Sequence, residues 1–441
     1  MNFERTKWHQ IITISALILA VVALPFSIAI CHSALILLAI NWIAEGRWKT
    51  KWERVQKNTL LWPFIALFFM HVIGLMYSED KTNGIFNLEK KISFLVLPVI
   101  VATSHIESRH LTFLLKSWVG ACLAAVFICI GAAFYRIMSG PDHILANFDL
   151  LTSEKFKSIN PTISLWSYFS YQELSSGIRI HPTYLGLYIV FSIAILIYFF
   201  EQNEDNYTPL KKVGFFLILL LFSIFIISLS SKIIIVSLVL LYILSAWMIF
   251  LKKKKKHTLI YLFALIMISL SFLFINPVAK YRSVYELNNT GLKVESNTQY
   301  AQSTDIRFSL WWLGMKSLED NWIMGAGTGD VTATMEHTGK KFNITNILGT
   351  YDPHNQFIYT ALSLGIIGFS LLLGCFLLPF ILQNAFHDFL YLVFISIIFL
   401  TCLSESLFEL QKGIVFFSIF NSLLVFQVQK VALPSLKPSH A

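Results

Sequence analysis

Long runs of apolar residues recur along this chain, and they constrain its fold more than any other feature. A helix needs about 20 apolar residues to cross the roughly 30 Å hydrocarbon core of a bilayer. Since backbone polar groups in lipid must be satisfied within the segment itself, such runs predict an all-α polytopic membrane protein with about 12 transmembrane helices. The predicted spans lie at about 10–28, 29–44, 59–77, 91–104, 112–138, 182–200, 213–229, 233–251, 258–276, 355–380, 387–404 and 413–428.

Composition agrees with that class. Hydrophobic residues make up 56% of the 441 residues and charged residues only 13%, which is incompatible with an ordinary soluble domain. The formal charge of +9 comes mainly from Lys and Arg between the spans and gives no indication of nucleic-acid binding. The five cysteines all fall within predicted spans, so no disulfide framework is expected.

Orientation follows from the distribution of Lys and Arg, which are enriched in cytoplasmic loops. They concentrate before the first span and after the second, sixth and eighth, which predicts that both termini are cytoplasmic. The run Lys252–Lys256 is interpreted as a topology anchor at the anionic inner leaflet. The residues behind the assignment are Arg5, Lys7, Arg47, Lys49, Lys51, Arg54, Lys57, Lys211, Lys212 and Lys252–Lys256.

Two segments on the predicted outer side, about 139–181 and 277–354, are too long for simple turns. In the second, apolar residues recur at helical spacing through Phe308–Leu318, which predicts a helix that lies on the membrane surface or caps a cavity. The chain therefore divides into three parts. They are an N-terminal part of about nine spans (1–276), a large outer loop (277–354), and a C-terminal part of about three spans with a cytoplasmic tail (355–441).

Three residues stand out at the outer boundary: Lys232, Arg307 and His354. A charge at this depth is costly unless it is paired or reaches water, so each is a candidate functional residue. Each also has a simpler interpretation. Lys232 would extend its ammonium group into water, Arg307 would pair with Asp305 or Glu319, and His354 would be satisfied by its own backbone.

The order of these residues resembles the O-antigen ligase and polymerase superfamily of bacterial glycosyltransferases. The family has a Ser-Arg-Gly turn, an arginine that opens a helix, a glycine-rich stretch, and His-Asn at the start of a late span. The corresponding residues here are Ser231-Lys232-Ile233, Arg307, Gly325-Ala-Gly327-Thr-Gly329 and His354-Asn355. The resemblance implies a GT-C-like fold with a large periplasmic loop between spans 9 and 10.

Two positions depart from the family pattern. Lys232 keeps a positive charge but lacks the bidentate fork with which arginine binds phosphate. Ser363 stands where the family commonly has an acidic residue in the His-Asn helix. The departure puts any role of that carboxylate in doubt.

The resemblance implies that the substrate is a glycan joined to undecaprenyl diphosphate and that the acceptor is a lipid A-core or another glycan. The reaction would take place at the periplasmic face of a bacterial inner membrane. Lys232 and Arg307 would stabilise the departing diphosphate, and His354 would take the proton of the attacking hydroxyl. Asn355 would hold the histidine or the sugar, and Gly325 and Gly327 would contact substrate.

Two further expectations concern the chemistry. Attack from the face opposite the diphosphate would invert the anomeric centre. Since no Asp-x-Asp pair occurs in the chain, no metal and no cofactor are expected.

A second cluster, Arg179 and His181, precedes Pro182 where the first long outer segment meets span six. These residues either bind donor phosphate or acceptor or merely mark the start of a helix. Glu405 and Glu409, between the last two spans, are expected to be solvated turn residues.

Three functions remain open at this stage. The first is an O-antigen ligase. The second is a polymerase or a protein O-oligosaccharyltransferase of the same superfamily. The third is a flippase or transporter of lipid-linked glycans, which tends to line a central path with charge. The spans here are almost free of charge, and a Trp-Trp-Asp signature of one oligosaccharyltransferase class is absent because Leu313 follows Trp311-Trp312. We favour the ligase.

Overall fold

The structure, a computed structural model, describes residues 2–139, 163–203, 206–251, 256–282, 303–342 and 352–432. Regular structure within these ranges is entirely helical. The helices, numbered along the described chain, are α1 Asn2–Ala23, α2 Ile28–Glu45, α3 Trp48–Lys57, α4 Trp62–Tyr77, α5 Lys81–Thr103, α6 Ser108–Ser139, α7 Ile163–Tyr168, α8 Tyr171–Ser175, α9 Pro182–Asn203, α10 Pro209–Ser228, α11 Lys232–Leu251, α12 Lys256–Ile275, α13 Pro277–Lys280, α14 Ser303–Leu318, α15 Val331–Lys341, α16 Gln356–Gln383, α17 Phe389–Ser404 and α18 Gln411–Ala432.

Within the described ranges, eight helical segments are long and apolar enough to cross a membrane. They are most of α1, all of α2, the segment Thr59–Tyr77 that contains α4, and the helices α6, α9, α10, α11 and α16. Shorter apolar helices lie in α12, α17 and α18. These findings support a polytopic membrane protein, while the count of twelve spans and the three-part division remain predictions. The predicted short span at 91–104 forms the second half of α5, whose first half carries Lys81, Glu89 and Lys90.

Helix α9 is the centre of the bundle. It is apolar around its whole circumference, and such a helix is stable only when it is buried on all sides. Its neighbours are α6, α10, α11 and α17. A cluster of aromatic rings packs where α6, α9, α17 and α18 meet, formed by Trp118, Tyr188, Phe191, Phe394, Phe416, Phe417 and Phe420. The five cysteines are buried and free.

The connections between helices gather at the two ends of the bundle as the predicted topology requires. Segments predicted to lie outside contact one another at one end, where Asp330 binds Glu79, Ser231 binds Thr183 and Arg307 binds Glu405. Segments predicted to lie inside meet at the other end, where residues near Gln202 and Asn384 line one cavity. The assignment of these ends to the periplasm and the cytoplasm remains a prediction.

The helix predicted over Phe308–Leu318 is present as part of α14. Leu310 and Leu313 on one face pack against α15 and α16, while Trp312 and Met315 on other faces are exposed. The predicted outer segments also include residues 140–162, 283–302 and 343–351, which lie outside the described residues.

The segment between α14 and α15 inserts into a break in α16. Gly365 interrupts the helix with φ 64° and ψ −163°. The freed backbone groups bind the inserted segment: Ala326 N–H donates to Leu362 O at 2.7 Å, and Ile366 N–H donates to Trp322 O at 2.9 Å. A Cβ at Gly365 would lie 2.0 Å from a carbonyl oxygen, so only glycine fits there.

Candidate functional site

His354 lies at the end of the bundle that is predicted to be outside, next to a carboxylate from another helix. Its Nδ1 is 3.6 Å from Oε2 of Glu405, which follows the last residue of α17. The other oxygen of Glu405 accepts a hydrogen bond from Arg307 Nη2 at 3.0 Å. The structure therefore brings two of the predicted site residues together on one carboxylate.

The backbone at His354 has the left-handed conformation, with φ 45°. Such a conformation is uncommon for residues other than glycine and is maintained by local contacts. Here Asp352 Oδ1 accepts the His354 N–H at 2.8 Å and also the hydroxyl of Ser406 at 2.5 Å. The imidazole is thus held against the segment that carries Glu405.

The two residues after His354 bind the same segment. Asn355 caps α16 by accepting from Phe357 N–H and Ile358 N–H, and its amide donates to Leu403 O at 3.1 Å. The predicted contact of Asn355 with sugar remains untested. Of its two predicted roles, holding the histidine segment is the one that these bonds support, because both polar atoms of the buried side chain are engaged.

Gln356 is the third consecutive residue that binds the segment after α17. Its Oε1 accepts from Phe408 N–H at 2.6 Å, and its Nε2 donates to Glu409 Oε1 at 3.2 Å. The same Glu409 oxygen lies 2.5 Å from Lys91 Nζ in a buried ion pair. Burial alone would raise the pKa of Glu409, but Lys91 overcomes this effect and holds that pKa below its usual value.

The expectation that Glu405 and Glu409 are solvated is wrong. Both residues are only 8% exposed, and both are paired with cations from distant parts of the chain. A sequence signal for this was Lys91 itself, a lysine at the edge of a predicted span, which requires an anionic partner when it is buried.

The charge state of the His354 pair follows from these contacts. The interaction with Glu405 raises the pKa of His354, partial burial opposes the shift, and Asp352 reinforces it. Burial would raise the pKa of Glu405, but His354 and Arg307 hold it below its usual value. Glu405 is therefore ionised at neutral pH, and an Nδ1–H facing it leaves Nε2 as the free nitrogen of the histidine.

His181 lies close enough to Glu405, Arg307 and His354 for their charges to shift its pKa. The ring keeps solvent access, yet the surrounding protein removes enough water to lower the pKa of His181. The positive charges of Arg307 and Arg282 lower this pKa further, while Glu405 opposes them. Nδ1 lies 3.4 Å from Thr183 N–H, which donates to it, so the proton of the neutral ring is on Nε2.

The turn that carries Lys232 is joined to this segment. Ser230 adopts φ 52°, which closes the turn, and the hydroxyls of Ser231 and Thr183 are 3.2 Å apart. Lys232 then opens α11 with a half-buried side chain. The residue before the predicted boundary lysine therefore contacts the start of α9 at Thr183, which is two residues after His181.

Arg282 is a cation at this site that the sequence did not reveal. Its guanidinium carbon lies 3.6 Å from the centre of the Tyr171 ring, and that ring contacts His181 with centroids 6.4 Å apart. Arg282 follows the end of α13 by two residues, and no motif surrounds it in the sequence. The fold brings Arg282 to the site by placing the end of α13 against Tyr171 at the start of α8.

Arg179 is placed differently. It is exposed, has φ 52°, and its carbonyl accepts from Lys412 Nζ at 3.4 Å. Within the described residues its guanidinium makes no hydrogen bond or ion pair with protein, so it is available to an anion. The structure shows no contact between Arg179 and the His354 pair, and its predicted role in binding remains a prediction.

The predicted substrate-binding role does not fit Gly325 and Gly327. Both are buried against the break in α16, where a Cβ at Gly325 would lie 2.5 Å from the Ser363 carbonyl carbon. Gly327 N–H donates to Ser363 O at 3.0 Å, and Ser363 Oγ donates back to Gly327 O at 3.3 Å. Their positive φ values, 77° and 117°, serve this close approach of two backbones.

Residues 215–373 match the profile of the protein family described as O-antigen ligase. This match confirms the predicted resemblance to the O-antigen ligase superfamily over that region. A comparison with curated proteins found no match.

The O-antigen ligase match covers just over a third of the chain, from α10 to the first half of α16. It includes Lys232, Arg282, Arg307 and His354. Glu405, which pairs with two of them, lies beyond its end. The site is therefore completed by helices on both sides of the matched region.

Proposed function

We propose that the protein is an O-antigen ligase-type glycosyltransferase. It moves a glycan from undecaprenyl diphosphate to a hydroxyl of the lipid A-core at the periplasmic face of a bacterial inner membrane. The observation that carries the proposal is the convergence of His354 and Arg307 on the buried carboxylate of Glu405, inside and beside the region that matches O-antigen ligase. A base and a cation at one membrane boundary are what transfer from a diphosphate carrier requires.

In this mechanism the acceptor hydroxyl gives its proton to Nε2 of His354 as its oxygen attacks C1 of the donor sugar. The bond between C1 and the diphosphate oxygen breaks, and the electron pair leaves with undecaprenyl diphosphate. The glycosidic bond forms on the opposite face, so the anomeric centre is inverted. Glu405 stabilises the imidazolium that forms and fixes the ring so that Nε2 points away from the carboxylate.

The departing diphosphate gains negative charge as the C1–O bond breaks, and preorganised cations stabilise that charge. Arg307 uses Nη2 to bind Glu405, which leaves its other donors for phosphate oxygens. Arg282, two residues after α13, lies near His181, and Lys232 begins α11 next to Ser231, whose hydroxyl contacts Thr183. Arg307 and Arg282 both act on His181 through their positive charge, so two cations lie near this site and favour an anionic leaving group.

The proposal assigns neutralisation of the diphosphate to side chains. Among the residues that the structure describes, no group of three or more His, Cys, Asp or Glu is placed to hold a metal ion. Metal independence itself remains a prediction, and transfer measured with and without EDTA tests it.

The glycan profile of a deletion strain tests the function. Long polymer on undecaprenyl diphosphate with bare core at the surface supports the ligase. Single repeat units on the core would instead identify a polymerase, and an unchanged profile would favour a transporter. Transfer to a protein acceptor would place the chain with the O-oligosaccharyltransferases.

Complementation of that strain tests the site. His354→Ala, Arg307→Ala and Lys232→Ala should each abolish transfer while the protein stays in the membrane. His337→Ala is the matched control, because His337 is exposed on α15 in the same outer region and contacts none of these residues. Normal transfer by the three variants would overturn the assignment. Product stereochemistry by NMR tests the inversion.

A further inference from the structure

A second charged site lies at the opposite end of the bundle, which is predicted to face the cytoplasm. A cavity of about 210 Å³ opens between α1, α3 and the end of α5. This volume is many times the roughly 10–15 Å³ that one water molecule needs. Its lining includes Arg47, Lys51, Arg54, Glu45 and the hydroxyls of Thr6 and Thr103. We call this cavity the basic pocket.

The basic pocket has more positive than negative charge. Glu45 is the one carboxylate among its lining residues, and it forms a salt bridge with Lys51 Nζ at 2.9 Å. The nearby Glu107 is bound by Arg109 at 2.7 Å. Three cations against one carboxylate leave an excess of two positive charges around the cavity.

The two arginines are bound to neutral groups. Arg47 donates to the hydroxyl of Thr6, and Arg54 donates to the carbonyl of Thr103. These bonds orient the guanidinium groups without neutralising their charge. Each guanidinium keeps further donors, in the planar arrangement that binds phosphate oxygens in pairs.

Exposed tryptophans lie on the two helices, α1 and α3, that line the basic pocket, although none of them is part of its lining. Trp48 and Trp52, one turn apart on α3, are 53% and 56% exposed, and Trp8 on α1 is 65% exposed. Helix α3 also buries Lys51 and Val55. Tryptophan is enriched where a membrane meets water, and a short helix with basic and aromatic faces lies in that plane. The rings therefore place the cavity at the level of lipid headgroups.

We propose that the basic pocket binds the phosphate of an anionic phospholipid headgroup in the leaflet at this end of the protein. The two guanidinium groups hold the phosphate, and the tryptophans keep α1 and α3 at the depth of the headgroups. The proposal is independent of the transfer reaction at the other end.

Native mass spectrometry of the full-length protein in detergent tests the proposal, with phosphatidylglycerol and phosphatidylcholine of matched chains as probes. Wild-type protein should retain phosphatidylglycerol preferentially. Arg47→Gln with Arg54→Gln should weaken that binding about thirty-fold, equivalent to about 1 kcal/mol for each cation. Arg47→Gln alone should weaken phosphatidylglycerol binding about five-fold. This single variant is expected to fold, because Arg47 is exposed.

Lys49→Gln with Lys57→Gln is the matched control. It removes the same charge from α3 at two exposed lysines that do not line the cavity, and it should leave phosphatidylglycerol binding within about two-fold of wild type. Equal losses in both double variants would mean general surface attraction and overturn the proposal. Full competition by millimolar inorganic phosphate would also overturn it, since the ligand would then be a free anion.

Discussion

Replacing Glu405 by glutamine removes the one charge that binds both His354 and Arg307 while it keeps the size of the side chain. The carboxylate lies 3.6 Å from His354 Nδ1 and 3.0 Å from Arg307 Nη2, and it is 8% exposed. The glutamine amide can still accept from Arg307. It cannot stabilise an imidazolium, so the loss should fall mainly on proton transfer.

The expected loss is a hundred- to a thousand-fold in kcat. Loss of the buried carboxylate behind a catalytic histidine costs about ten-thousand-fold in serine proteases. Here the effect should be smaller, because the side chain of His354 is 38% exposed and the two atoms are 3.6 Å apart, beyond ordinary hydrogen-bond distance. The loss corresponds to about 3–4 kcal/mol of transition-state stabilisation.

The pH profile gives a second, opposite signature. His354 must be neutral to act as a base, and Glu405 raises its pKa, so wild-type activity should fall as pH drops through a value above 6.5. In Glu405→Gln the carboxylate that raises the pKa of His354 is gone, while partial burial and Arg307 still lower this pKa. The acid limb should therefore move to lower pH although the plateau rate falls.

The assay is transfer by purified protein from an undecaprenyl-diphosphate glycan to core acceptor between pH 5 and 9, at saturating donor. Glu319→Gln is the control, because the side chain of Glu319 is 62% exposed and pairs with Lys316 on the surface. A Glu405→Gln enzyme with a wild-type plateau and an unshifted acid limb would refute the assignment of His354 as the base.

Arg282→Ala should raise KM for the donor about tenfold, and Arg282→Lys should recover only part of this, because lysine lacks the flat group that stacks on a ring; steady-state kinetics at varied donor concentration measure both. Gly365→Ala should prevent normal folding, since the new Cβ would lie 2.0 Å from the oxygen of Ile323, and gel filtration in detergent would show aggregation. Lys91→Met should lower the free energy of unfolding by about 3–5 kcal/mol, because it leaves Glu409 buried without its cation, and thermal unfolding measures the change.

Each of these variants has a control in the chain. A Cβ at Gly120 would meet no atom within 4 Å, so Gly120→Ala should fold like wild type. Lys316→Met breaks only an exposed pair and should change stability by less than about 1 kcal/mol. Aggregation of Gly120→Ala, or equal destabilisation by both lysine variants, would contradict the reasoning. So would an Arg282→Ala enzyme with wild-type KM.

The membrane class and the alternation of the loops were predictable because both depend on local properties, namely the length of apolar runs and the charges between them. The contacts that the inserted segment between α14 and α15 makes with α16 were not predictable. Gly325 and Gly365 are required where two backbones meet, and these residues are separated by α15 and by residues outside the described ranges. A glycine pattern shows that a backbone approaches something closely, but it does not identify the partner.

For the candidate site, the sequence pointed to Arg307 and His354, which the structure brings together on Glu405, since charges at a membrane boundary stand out against apolar surroundings. It misjudged Glu405, which follows a predicted span in a short turn where solvation is the usual outcome. The burial of Glu405 depends on α14 and the start of α16 closing over that turn. Arg282 was missed for the same reason, because its partner Tyr171 is more than one hundred residues away.

The structure also bears on the missing carboxylate of the His-Asn helix. Asn355 caps α16 and Ser363 is eight residues further on, so a rise of about 1.5 Å per residue separates them by about 12 Å along the axis. A carboxylate at position 363 would therefore lie too far from His354 to bind its imidazole. Ser363 instead binds the inserted glycine segment, and the carboxylate beside the histidine comes from the turn after α17. Serine at this position is thus compatible with the proposed role of His354 as the base, which depends on Glu405 being ionised.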